Sequence, residues 1–478
     1  MVKSRKNNKF INFKQKKIKK TKKYRIEKDF LGKVRVEKNK YWGSETQRSI
    51  QHFSIGNETI PLNIINTYAL YKKCAAIANK KLKLFKNNTV PNTIVRVCNE
   101  IITGNLNSHF PLHIWQTGSG THTNMNLNEV IANKGMELLK RKKIIINPND
   151  DVNKSQSSND SFPVVMNMSC AILIHNKLLS SIDYLIDGLS KKQKEFRNII
   201  KIGRTHLEDA TPISFGQEFS GYISLIKNCH EQIKLSLNQL YKLPVGATAV
   251  GTGINTHPKY AETVIKVIKN QTNLPFKKAD NNFALLSCHN PIQICSGALT
   301  LLASNLMKIC NDIRWMGSGP KTGLKELILP ANEPGSSIMP GKINPTQCEA
   351  LSMVCAHVIG LRNSITFACT QGHFQLNVYN PIIIHNTLDA IRLISESMNS
   401  FNKNCLLGLK LNKVKISEFL NNSLMLITPL TKIIGYDLAS KVALNAYKKN
   451  ISLKQSCLEL TDLSEKEFMK YTDPKKMV

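Results

Sequence analysis

Long apolar runs are missing from this sequence. No stretch of 18 or more consecutive apolar residues occurs in its 478 residues, which argues against a transmembrane helix. The 12 cysteines form no C-x-x-C pair and follow no regular spacing. That pattern reads as reduced, mostly buried thiols in a cytosol-like compartment, and it argues against a structural zinc site. No apolar segment follows the N-terminus, so a secretory signal is excluded. The Lys/Asn-rich start is also unlike an Arg/Ser-rich transit peptide, and cytoplasmic placement is favoured, with the mitochondrial matrix as the minority alternative. No period of 20–50 residues repeats, which excludes a solenoid.

Acidic residues are scarce as well: 33 Asp and Glu stand against 66 Lys and Arg, a formal charge of +33. Part of that charge is concentrated in residues 1–26, MVKSRKNNKFINFKQKKIKKTKKYRI, which hold twelve Lys or Arg and no carboxylate. Self-repulsion would keep such a block disordered, and it could touch nucleic acid or an anionic surface. Lys, Asn and Ile are abundant throughout, and all three have A/T-rich codons. A biased genome therefore accounts for the basicity without a polyanionic partner, and nucleic-acid contact by the tail is open but not favoured.

What is present is helical periodicity. Val165, Met168, Ile172, His175, Leu179, Ile182, Ile186 and Leu189 step by three and four, and Phe219, Tyr222, Ile226, Cys229, Ile233 and Leu240 repeat the pattern. A third stripe runs through Ile292, Cys295, Leu299, Leu302, Leu306, Ile309, Ile313 and Met316, and shorter ones start at Leu351 and Ile384. Five long helices with such seams predict an elongated bundle, in which His175 is a packed core residue. Apolar residues outside the seams predict burial against other subunits. The division is then a basic tail (1–24), a mostly helical N-terminal domain with long loops (25–155), a central long-helix bundle (156–413) and a small helical C-terminal domain (414–478).

Four stretches between the helices are rich in hydroxyls, amides and glycine: QTGSGTHTNMNLNE (116–129), NPNDDVNKSQSSNDSFP (147–163), GRTHLEDATP (203–212) and GSSIMPGKINP (335–345). Hydroxyls, amides and backbone N–H groups at helix starts are the donors a carboxylate ligand needs. Each also has a plainer reading. Taken alone, Ser157, Ser158 and Asn159 read first as caps of the following helix, Thr121 and Asn124 as turn residues, and His206 and Lys342 as surface residues.

Taken together, the four stretches resemble the fumarase/aspartase superfamily. GSSIMPGKINP is similar to its signature Ser-Ser-x-Met-Pro-x-Lys-x-Asn, and the other blocks follow in the superfamily's order and separation over roughly residues 25–478. QTGSGT, GRTHLEDATP and PGKINPTQCE look like the class II fumarases. Aspartases tend to have Ala in place of Gly341 and lack the Thr346-Gln347-Cys348 triplet.

The resemblance implies a mainly all-α, three-domain fold with a central five-helix bundle that assembles into a homotetramer with a 20-helix core. It implies reversible hydration of fumarate to (S)-malate, a step of the tricarboxylic acid cycle, with no metal and no organic cofactor. Three subunits would share each site. By this resemblance Ser336 is the base, His206 protonates the leaving hydroxide and Glu349 orients or charge-balances that imidazole. Ser119, Thr121, Ser157, Ser158, Asn159, Thr205, Lys342 and Asn344 would bind the dicarboxylate.

Two departures stand out. A secondary anion site around Asn147, Asn149 and Asp150 has Asn147 and Ile144 where the family often has His and Arg, so that site is expected to be degenerate. A Lys-Phe-Glu-like triplet reads Asn282-Phe283-Ala284. The alternatives are a sister lyase that releases ammonia, and an inactive basic scaffold; intact Ser336, Lys342, Asn344, Thr205 and His206 argue against the second.

Overall fold

A computed structural model describes residues 23–140 and 144–478. The disorder expected of residues 1–26 lies outside the described part for residues 1–22, and it fails for Tyr24, Arg25 and Ile26, which pair with Glu37, Val36 and Arg35 in a strand. The described chain opens with a hairpin of β1 (Tyr24–Asp29) and β2 (Gly32–Glu37), followed by α1 (Ser44–His52), α2 (Leu62–Lys81), α3 (Thr89–Ile102) and α4 (Thr121–Leu138). Buried Glu129 of α4 ties this layer together. Its carboxylate accepts the N–H groups of Gly43, Glu45 and Thr46, closing the open N-terminus of α1.

The bundle begins at α5 (Ser158–Leu173), which continues through one π-helical turn, Ile174–Leu178, into α6 (Leu179–Glu195). Ser157 and Asp160 form a capping box at its start, which explains why the helix begins there despite Pro163 in its first turns. A second hairpin, β3 (Ile200–Thr205) with β4 (Glu208–Ser214), leads into α7 (Phe215–Leu240), again through a capping box, here Ser214 with Gln217. Shorter helices α8 (Tyr260–Thr272) and α9 (Asn282–Ser287) precede the remaining rods, α10 (Asn290–Met316), α11 (Thr346–Cys369) and α12 (Asn380–Asn404). One continuous apolar core runs from Val34 to Ile416, joining the N-terminal layer to the bundle. A separate core of Ile427, Leu430, Val442, Cys457 and Phe468 holds the last helices.

The stripes on α7 and α10 are buried along their whole length. On the first rod the expectation fails in one place: His175 is exposed, and Ile174 and Leu178 fill the core instead. The π turn is the reason. The wider turn shifts the seam locally onto Ile174 and Leu178, and the counted stripe resumes at buried Ile182 and Leu189.

The exclusion of membrane-spanning segments also needs correction. Ser158–Glu195, Asn290–Met316 and Thr346–Cys369 reach spanning length with mean hydropathies of 1.3, 1.3 and 1.2. Scattered Ser, Asn and Gly interrupt the apolar runs without lowering the average enough. Of these windows 67% of the first and 50% of the second are buried inside the fold, but only 22% of the third.

Candidate active site

The N-termini of α4, α5, α10 and α12 meet at one end of the bundle, and the first two polar stretches sit there. Gly120, at φ 79°, turns the chain into α4; a Cβ on it would meet the Phe162 ring at 2.2 Å. Ser119 Oγ lies 2.8 Å from Thr121 Oγ1. Asn124, one turn into α4, donates to Ser158 Oγ at 2.9 Å, which brings the two stretches together. Ser157 is the helix cap that its plainer reading predicted, accepting from Asn159 N–H at 3.2 Å. The Asn159 amide donates to Ala249 O.

Gly118 shows how tightly this end is fitted. Its carbonyl accepts Asn380 N–H at 3.0 Å, and a Cβ would lie 1.5 Å from Val378 O. Gly118→Ala is therefore expected to destabilise the protein by about 3 kcal/mol or more, read as a lowered denaturant midpoint. Buried His289 reaches Asn380 Oδ1 from α10 at 2.6 Å, and burial depresses that imidazole to about 4, keeping it neutral.

The other two stretches lie at the far end. GRTHLEDATP, read from sequence as a loop, is the β3–β4 hairpin. His206 and Leu207 form its two-residue turn, both left-handed at φ 60° and 66°. Thr205 and His206 are exposed at the tip. An ion-pair network anchors the hairpin: Arg204 meets the fully buried Glu326 at 2.9 Å, and Lys201 meets Glu218 at 3.1 Å.

The GSSIMPGKINP loop precedes α11. Gly335 N–H donates to Lys342 O at 2.8 Å and the Asn344 amide to Gly335 O at 2.6 Å, which closes the neck of the loop. At its crown Ser336 Oγ accepts two backbone N–H groups, from Ile338 at 3.2 Å and Met339 at 2.9 Å. Lys342 is exposed, and Glu349 sits partly buried in the first turn of α11. Gln347 holds the start of α11 to Ser400 near the C-terminus of α12.

Within one chain the four stretches thus form two separate pairs. The rod from Ser158 to Glu195 has 38 residues, roughly 57 Å at 1.5 Å per residue; α12, with 25 residues, adds a span of roughly 37 Å between Asn380 and Asn404. A cavity of about 890 Å³ at the α6–α7 junction, lined by Lys194, Arg197, Gln217 and Lys475, contains none of the expected site residues. Asn147, Asn149 and Asp150 occupy a π-helical turn of their own. Asn147 Oδ1 accepts the Asn149 and Asp150 N–H groups, and Asp151 accepts that of Asn147.

Long helices whose termini carry hydroxyl- and amide-rich loops belong here to a lyase architecture, as the family matches show. Residues 32–360 match the family described as Lyase, and residues 426–478 match that described as Fumarase C C-terminus. The "Fumarate hydratase class II" of Campylobacter jejuni is 50% identical over 95% of this chain and 99% of its own length. The "Fumarate hydratase, mitochondrial" of Dictyostelium discoideum is 49% identical over 95% of each chain. A crystal structure of class II fumarase from Schistosoma mansoni superposes with a TM-score of 0.93 at 42% identity, over 95% of this chain and 99% of that one. The chain belongs to the class II fumarate hydratase family.

Proposed function

We propose that three copies of this chain build each active site, in which water adds reversibly across fumarate to give (S)-malate. One observation carries the reading. The donors that a four-carbon dicarboxylate needs are all present, yet they stand at opposite ends of rods several times longer than the substrate. Copies packed side by side in opposite directions bring one chain's Ser119–Thr121 and Ser157–Asn159 beside another's Ser336–Asn344 and a third's hairpin. The exposed apolar faces support this packing: Met353 and Phe367 on α11 are 67% and 63% accessible, and such faces are covered in closed assemblies.

In the direction of dehydration, Ser336 takes the C3 proton of malate, and the charge moves onto the adjacent carboxylate. Lys342 supplies opposite charge to this aci-carboxylate, while Thr121, Ser158, Asn159, Thr205 and Asn344 supply directed donors. His206 gives the departing hydroxide its proton, and Glu349 orients or charge-balances the imidazole. His206→Asn keeps a residue that tolerates positive φ, so the hairpin should stay folded with stability within about 0.5 kcal/mol. Its kcat should fall about a hundredfold.

The reaction is tested by following fumarate absorbance with the purified chain, with ammonia release from aspartate assayed beside it. Malate formation supports the reading; ammonia without hydration would assign a sister lyase. The second anion site is weak or absent on this reading, because Asn147 itself occupies the backbone donors that an anion would use. Cytoplasmic placement fits the twelve free cysteines, with the mitochondrial matrix as the alternative.

A further inference from the structure

Behind the Ser157–Asn159 segment lies an enclosed lysine that the reaction above does not use. Lys72, in the middle of α2, is 0% exposed. Lysines are almost never buried this way unless paired, and here burial pushes the ammonium down to about 7. Its Nζ donates to Asn153 Oδ1 at 2.9 Å and lies 5.4 Å from the Tyr68 ring.

Asn153 Oδ1 is a meeting point. It also accepts the side-chain N–H groups of Asn124 at 3.1 Å and Asn128 at 3.3 Å, while the Asn153 amide nitrogen donates to Gln156 O at 3.1 Å. The same Asn124 nitrogen reaches Ser158 Oγ at 2.9 Å. Direction along this chain follows from donor counting. An ammonium has three donors and no acceptor, whereas an amide side chain can face either way and a hydroxyl can donate or accept. The N–H donors of Lys72, carried by amine and ammonium alike, and the Gln156 carbonyl that takes the Asn153 amide N–H hold the oxygen of Asn153 toward Lys72. Asn124 must then present its nitrogen, and Ser158 Oγ must accept on its inner side. The serine proton is left pointing outward.

We propose that Lys72 is a positioning residue that, through Asn153 and Asn124, holds the Ser158 hydroxyl as a donor toward the substrate carboxylate. The inference rests on the reading of Ser158 as a substrate contact. A second effect acts the same way. Asp160, fully buried beside the same segment, accepts the Ser157 and Thr248 N–H groups at 2.9 and 3.0 Å, and Lys72 offsets its charge where a dianion must dock.

The test uses the full-length assembled enzyme and three variants: Lys72→Met, Ser158→Ala and the double variant. Lys72→Met keeps the length of the side chain and removes its charge and donors. It should raise KM for both fumarate and malate about tenfold, with a smaller change in kcat, since Ser336 and His206 are untouched. The double variant should be no worse than Ser158→Ala alone, because both changes remove the same hydrogen bond. An unchanged KM in Lys72→Met, or fully additive losses in the double variant, would overturn the positioning role. If Lys72→Met does not fold, Asn124→Leu breaks the chain at its middle and is read by the same two criteria. If Ser158→Ala leaves KM unaltered, the site reading of Ser158 itself fails, and the inference with it.

Discussion

Ser336→Ala should lower kcat by about three orders of magnitude or more while leaving the KM for fumarate within a few-fold. A serine hydroxyl is a poor base, so its environment has to favour the oxyanion. The crown of the loop does this directly: the Ile338 and Met339 N–H groups both point at Ser336 Oγ. Hydrogen bonds to an ionised acceptor are roughly twice as strong as those to a neutral one. On the proposed mechanism, Lys342 and the positive end of α11, which starts at Thr346, add to the same bias. Alanine removes the oxygen but leaves the neck of the loop intact, because Gly335, Lys342 and Asn344 close it without the serine side chain. Binding should therefore survive where chemistry does not. The sharper readout is exchange of the malate C3 proton with deuterated water. Wild type should exchange it and Ser336→Ala should not; normal exchange in the variant would remove Ser336 from the base role.

The parts of this molecule that were legible in its sequence are those written in periodicity or in rare local combinations. The α7 and α10 seams follow directly from spacing, because each turn of a helix repeats the same burial. The local shift of the first rod's seam was not legible, since the wider turn at Ile174–Leu178 leaves no mark in the spacing. The β3–β4 turn was also hidden, because His206-Leu207 lacks the Asn-Gly or Asp-Gly chemistry that usually announces a two-residue hairpin. Lys72 was invisible for a compositional reason: among 66 Lys and Arg, nothing marks it as one of the few that are enclosed. Ser157 shows the opposite limit. Both of its readings named the same residue; the fold shows the cap, and the substrate contact depends on copies that a single chain does not contain.

That dependence yields the second large effect. Ser336→Ala and Ser158→Asp are each expected to be nearly inactive as pure proteins, the first for want of a base and the second because a carboxylate faces the dianionic substrate. Mixed into the same tetramers, they should recover turnover. Ser158 and Ser336 belong to opposite ends of the bundle, separated by helices such as α12, whose 25 residues span roughly 37 Å. On the proposed shared site, a working site takes its Ser158 from one chain and its Ser336 from another. In random equimolar tetramers each requirement is met half the time, so about a quarter of the sites should be intact. Sites built within single chains would give none, because every chain carries one defect. The two variants can be co-expressed with different affinity tags and purified sequentially, so that every assembly assayed contains both. Because purification removes the inactive homotetramers, activity of roughly a quarter to a third of wild type would establish the shared site, and dilution to monomers should then abolish it. Mixed tetramers as inactive as either parent would show that the two ends of the bundle do not meet across chains.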